Sequence, residues 1–137
     1  MAHKVLIAYD GTESARRAME RAAELWSADD TFTVISVTPV VTSGPRSSGP
    51  FMPGDTPVEH RAELDEAKQW FSERGIAAST IAAVGDPGSA ICEVAERDGY
   101  DRIIVGSRNL HGVKRLLLGS VSDRVAHHAP CDVLIAK

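Results

Sequence analysis

Five short apolar runs, separated by stretches of helical spacing, constrain this chain more than any other feature. The runs are 4–9 (KVLIAY), 32–37 (FTVISV), 76–84 (IAASTIAAV), 102–105 (RIIV) and 132–136 (DVLIA). Brief apolar segments bounded by turn residues are the pattern of strands covered on both faces. Between the first two runs, Ala15, Ala18, Met19, Ala22 and Leu25 mark one buried face of a helix over 13–26, with Thr12 as its cap. A second helix is predicted over 58–74 from Ala62, Leu64, Ala67, Trp70 and Phe71, with Gly75 as its C-terminal cap. A third follows the turn Gly85-Asp86-Pro87-Gly88, turns Ala90, Ile91, Val94 and Ala95 inward, and ends at Gly99. The fourth covers 120–128 and stops at Ala129-Pro130. Strands alternating with helices require crossover connections and a mostly parallel sheet with helices on both faces. The expected fold is therefore α/β: one doubly wound, five-stranded, mostly parallel, Rossmann-like sheet with about four helices.

A chain of 137 residues is the size of one domain, so residues 1–137 are expected to form a single unit. The irregular stretch 38–57 does not divide it. That stretch carries Pro39, Pro45, Pro50, Pro53 and Pro57 with Gly44, Gly49 and Gly54, and can continue neither a helix nor a central strand. It is expected to be a flexible flap. A net charge of −4 gives no general attraction to nucleic acid or anionic membrane, and no apolar run approaches bilayer length. The first ten residues pass straight into a strand pattern without the features of a signal peptide, so a cytoplasmic location is expected. Cys92 and Cys131 form no CxxC pair and read as reduced, buried small hydrophobes.

Open parallel sheets bind ligands beyond the carboxyl ends of their strands, where the strand order reverses. That rule nominates the loops after the first and fourth runs: Asp10-Gly11-Thr12, and the segment from Gly106 onward. Residues 106–122 read GSRNLHGVKRLLLGSVS. Gly119-Ser120 opens a helix, whose unpaired amides and positive dipole end suit a phosphate. Gly119 lets the backbone approach an anion, Ser120 and Ser122 can donate hydroxyl hydrogen bonds, and Arg108, Lys114 and Arg115 add positive charge. The plainer alternative makes Gly106 and Gly112 turn residues and Ser120 a helix cap. The loop matches neither a Walker A sequence nor GxGxxG.

The segments 4–26 (KVLIAYDGTESARRAMERAAELW) and 105–137 (VGSRNLHGVKRLLLGSVSDRVAHHAPCDVLIAK) resemble the opening and the C-terminal signature of the universal stress protein family. The resemblance implies an adenine nucleotide alpha hydrolase-like fold. Its ATP-binding members carry G-x2-G-x9-G-[S/T]. Here Gly106 is followed by Ser107-Arg108, then Asn109 in place of the second glycine, then nine residues and Gly119-Ser120. Asn tolerates the left-handed backbone better than other non-glycine residues. The resemblance implies that Gly106, Gly119 and Ser120 face the phosphates and that Val121 and Ser122 continue that contact. It implies that Asp10 and Val37 lie near ribose and base, with Ala8, Tyr9 and Val105 lining the pocket. Asn109 is carried over only as a position, and Arg108 is a candidate contact through its charge. The implied ligand is ATP, or AMP or cyclic AMP; whether Mg2+ accompanies ATP stays open.

No nucleophile–base–orienter set is visible, so no catalytic residue is assigned and at most a weak ATPase is expected. His127-His128 reads as a favourable contact with a helix C-terminus, and His111 as a loop residue. Trp26 and Trp70 read as core, and Glu59, Glu63, Asp65 and Glu66 as a solvated acidic helix face. The last strand is expected at a sheet edge, where the family resemblance implies pairing into a homodimer. Two function classes remain: a nucleotide-binding regulatory protein of the stress response, or a dimeric interaction module without nucleotide that acts through an unidentified protein partner.

Overall fold

The structure, a computed structural model, describes residues 2–38, 58–107 and 120–137, with side chains for all of these except 58–60 and 120. Strands and helices alternate: β1 (Lys4–Ala8), α1 (Glu13–Leu25), β2 (Thr31–Thr38), α2 (Val58–Ser72), β3 (Ala78–Val84), α3 (Pro87–Arg97), β4 (Arg102–Gly106), α4 (Ser120–His128) and β5 (Asp132–Ala136). All strand pairs are parallel, in the order β3-β2-β1-β4-β5. The chain thus builds leftward from β1 through β2 to β3. It then crosses back to place β4 on the other side of β1. That reversal leaves a crevice between the carboxyl ends of β1 and β4.

The period of two along each strand sorts the core into two layers. Ile7, Phe32, Val34 and Ile104 face α1 and α2, where they meet Ala18, Met19, Leu64, Ala67 and Phe71. Leu6, Ile35, Ile103 and Val105 face the other way, onto Ile91 and Val94 of α3 and Val125 of α4. The first layer holds the aromatic packing: Phe71 lies edge-on to both Phe32, at 5.6 Å, and Trp70, at 5.1 Å. Trp26 and Trp70 pack on the rim of this layer rather than inside it. Cys92 and Cys131 are half-buried free thiols on the rim of the second layer. Burial pushes both thiols up from their ordinary value, which disfavours the reactive thiolate. Among the described residues, no helix is long and apolar enough to cross a membrane.

Several element boundaries differ from expectation for local reasons. Trp26 takes extended backbone (φ −66, ψ 140) and so ends α1 one residue early. Gly75, at φ +76, turns the chain after α2, and the Ile76 amide still caps back to the Phe71 carbonyl at 2.9 Å. Strand β3 consequently starts at Ala78. Thr38 belongs to β2, so only 39–57 of the expected flap is left between elements, and that stretch lies outside the described residues. Asp86 caps α3, which brings Pro87 and Gly88 into its first turn.

Candidate functional site

The turn after β1 is built by Asp10. Its Oδ1 accepts hydrogen bonds from the Thr12 amide at 3.0 Å and the Thr12 hydroxyl at 2.6 Å. Gly11 between them sits at φ +82, a conformation that favours glycine. The Thr12 hydroxyl in turn accepts from the Ala15 amide at 3.2 Å and caps α1. Sequence reasoning gave Asp10 either a turn role or a ligand role. Here the same carboxylate makes the turn and lines a cleft.

That cleft has a volume of about 310 Å³ and opens at the reversal between β1 and β4. Of the residues nominated from sequence, Ala8, Tyr9, Asp10 and Val37 line its β1–β2 side. Val105, Gly106, Val121 and Ser122 line its β4–α4 side. Ser120 opens α4, but its side chain is not described. Arg108, Asn109 and Gly119 lie outside the described residues, as do His111, Gly112, Lys114 and Arg115.

Gly106 has a second reason to be glycine. A Cβ there would collide with the Ser14 carbonyl oxygen and approach its Oγ to 2.8 Å. The missing side chain therefore lets the first turn of α1 rest directly on the end of β4. First-turn residues of three helices reach the cleft as a result: Ser14 and Ala15 of α1, Pro87 of α3, and Val121 and Ser122 of α4. Each helix start brings partial positive charge to the same space. Gly88 plays a related part at the back, where a Cβ would strike the Arg124 side chain at 2.8 Å; its absence lets α3 and α4 close together. The Asp86 carboxylate, 3.7 Å from the Arg124 guanidinium, accepts the Ser89 amide at 3.0 Å, and that amide chiefly holds it below its ordinary value.

Sequence reasoning missed Ile35, Ser14, Ala15, Ile91, Pro87 and Glu63 among the lining residues. Glu63 is a correction: it is not on a solvated face but half-buried in the cleft wall, with Oε1 shut off from solvent. Asp65 and Glu66 are exposed, as expected, and the Glu59 side chain is not described. The available signal was helical phase, since Glu63 lies four residues before buried Ala67 and beside buried Leu64. Glu66, one turn further, fixes this wall. Its Oε1 accepts the Tyr9 hydroxyl at 3.0 Å and its Oε2 faces Arg16 at 3.4 Å. Burial, then the bond to Glu66, pushes the Tyr9 hydroxyl above its ordinary value and keeps it a neutral donor.

The cleft thus offers apolar walls at β2, polar groups at β1, and hydroxyls with helix amides at β4 and α4. This combination suits a flat apolar ring joined through a polar linker to an anion. Known proteins resemble this chain along its whole length. A universal stress protein in complex with cAMP superposes with TM-score 0.72 at 27% identity, covering 98% of this chain and 96% of that one. A universal stress protein family protein from Arabidopsis thaliana, with AMP bound, superposes with TM-score 0.71 at 23% identity over 98% and 91% of the two chains. The universal stress protein YxiE of Bacillus subtilis is 32% identical over the full length of both chains. The universal stress protein family model matches residues 1–137, and with the parallel sheet and its switch-point cleft this establishes that the chain belongs to the universal stress protein family.

Proposed function

We propose that residues 1–137 act as one cytoplasmic domain that binds an adenine nucleotide, ATP first among AMP and cyclic AMP, as a regulatory module of the stress response. The observation that carries this reading is the cleft itself. It lies at the strand-order reversal, and first-turn residues of three helices converge on it. Laid across the strand ends in sheet order, a nucleotide puts its base over Ile35 and Val37 of β2. Its sugar lies over Asp10 after β1, and its phosphates lie by Gly106 and Ser122 at β4 and α4. Cyclic AMP and AMP in the related structures support this choice of ligand. When a divalent ion accompanies ATP, it would neutralise phosphate charge. The protein's own residues position the nucleotide and exclude water from its base; none of them is assigned a catalytic step. Calorimetry with ATP, AMP and cyclic AMP tests the reading, with Gly119→Ala as the control. Binding that the substitution removes supports it, and no heat at millimolar ligand overturns it.

A second reading rests on two observations. Asn109 stands where the nucleotide signature has glycine, and β5 is an edge strand whose Val133, Leu134 and Ile135 are only half-buried. Such an edge suits pairing with a second copy, so a homodimer through β5 is part of both readings. In the second, the dimer serves as an interaction module for a protein partner and holds no nucleotide. Asn109→Gly separates them: binding created by that substitution and absent from the parent selects the interaction module.

A further inference from the structure

Glu63 reaches the cleft from α2 and lies against Gly11. Its Oε2 lies 3.0 Å from the position a Gly11 Cβ would take, so the carboxylate rests against the turn that Asp10 builds. Asp10 and Glu63 both line the cleft, at the end of β1 midway between β2 and β4. Two carboxylates in a partly closed space repel a phosphate and accept hydrogen bonds from neutral donors. The phosphates are therefore directed to the far side, where Ser122 is 1% exposed at the start of α4 and Gly106 presents only main chain. The middle of the nucleotide, its sugar, then faces the carboxylates, and a ribose carries two vicinal hydroxyl donors there.

We propose that Glu63 is a specificity-determining residue that reads the sugar. It accepts a hydrogen bond from one ribose hydroxyl while Asp10 takes the other, which makes the site selective for ribonucleotides over deoxyribonucleotides. This rests on the adenine-nucleotide reading above. A ribose hydroxyl facing these carboxylates adds a hydrogen bond that the analogue lacking it cannot make. Anchoring of α2 by the Glu66 bonds to Tyr9 and Arg16 keeps the Glu63 carboxylate over the turn.

The test titrates ATP, 2′-deoxy-ATP and 3′-deoxy-ATP into the parent, Glu63→Ala and Glu63→Gln by calorimetry, with thermal melting of each protein. The parent is expected to favour ATP over each deoxynucleotide by about tenfold. Glu63→Ala weakens ATP by about the same tenfold and loses the preference over one deoxynucleotide while keeping it over the other. Glu63→Gln, which retains an acceptor oxygen, keeps most of that preference. Unchanged preferences in Glu63→Ala, or equal weakening of all three ligands in both variants, would overturn the inference while leaving nucleotide binding intact. A parent that binds none of the three would overturn the nucleotide reading and this inference with it.

Discussion

The two ends of the sheet use the same kinds of side chain for opposite purposes. At the amino ends of the strands, polar groups are consumed in closing the fold. The Asp101 carboxylate accepts the Lys4 amide at 2.8 Å, and the Asp101 amide returns a bond to the Lys4 carbonyl at 2.8 Å. The Lys4 ammonium donates to the Asp98 carbonyl at 2.6 Å and lies 4.6 Å from the centre of the Tyr100 ring. Asp30 accepts the amides of His3 and Ser27, both at 3.0 Å. At the carboxyl ends, Asp10, Glu63 and Ser122 line a cleft, although Asp10 also holds the turn into α1, and glycine at Gly106 keeps α1 pressed against β4. On the proposed reading, stability and ligand recognition occupy opposite rims of one sheet, and substitutions should separate them.

The largest effect is expected at Gly106. Gly106→Ala drives a methyl group into the Ser14 main chain and should weaken ATP binding on the order of 100-fold, with about 1–3 kcal/mol lost in stability. Calorimetry and urea unfolding read both; full affinity in this variant would break the assignment of the carboxyl rim to recognition. Ser122→Ala comes next, with about a tenfold rise in Kd from a lost hydroxyl–phosphate bond. A change in Kd for ATP larger than that for adenosine would sharpen the placement of phosphates at α4. On the opposite rim, Asp101→Ala should cost about 1 kcal/mol of unfolding free energy and leave Kd unaltered. A matching loss of affinity would show that the rims are not separate.

The smallest effect is a dependence on acid. Burial alone would raise the Asp30 carboxyl, but the amides of His3 and Ser27 outweigh it and hold the group below its ordinary value of 3.8. Since the folded value is depressed, Asp30 contributes stability at pH above 3.8, and that contribution is lost as pH falls through the lower folded value. Asp30→Asn should therefore flatten the acid side of the stability profile without touching ATP affinity at neutral pH. An unchanged acid limb in chemical unfolding would contradict the role given to those amide bonds.

Much of this was legible before any coordinates. Parallel strands such as IIV in β4 are buried on both faces, so they read as continuous apolar runs, and the helices between them declare their inner faces by period. The rule for strand-order reversal then pointed to Asp10 and Gly106, and the cleft joins them. Glu63 was harder because acidic helix residues are solvated by default, and only its register with Leu64 and Ala67 separates it from Asp65. Ser14 could not be placed from sequence, because its position depends on how closely α1 approaches Gly106. Ile35, Pro87 and Ile91 were missed for a similar reason: they come to the cleft from β2 and α3 through packing alone.

The most direct measurement is an amide chemical-shift map of the protein titrated with ATP. The account predicts saturable shifts centred on residues 8–12, 35–37, 105–106 and 121–122, with the amides of Lys4, Asp30 and Asp101 unmoved. Shifts centred on the amino rim, or none at millimolar ATP, would contradict it.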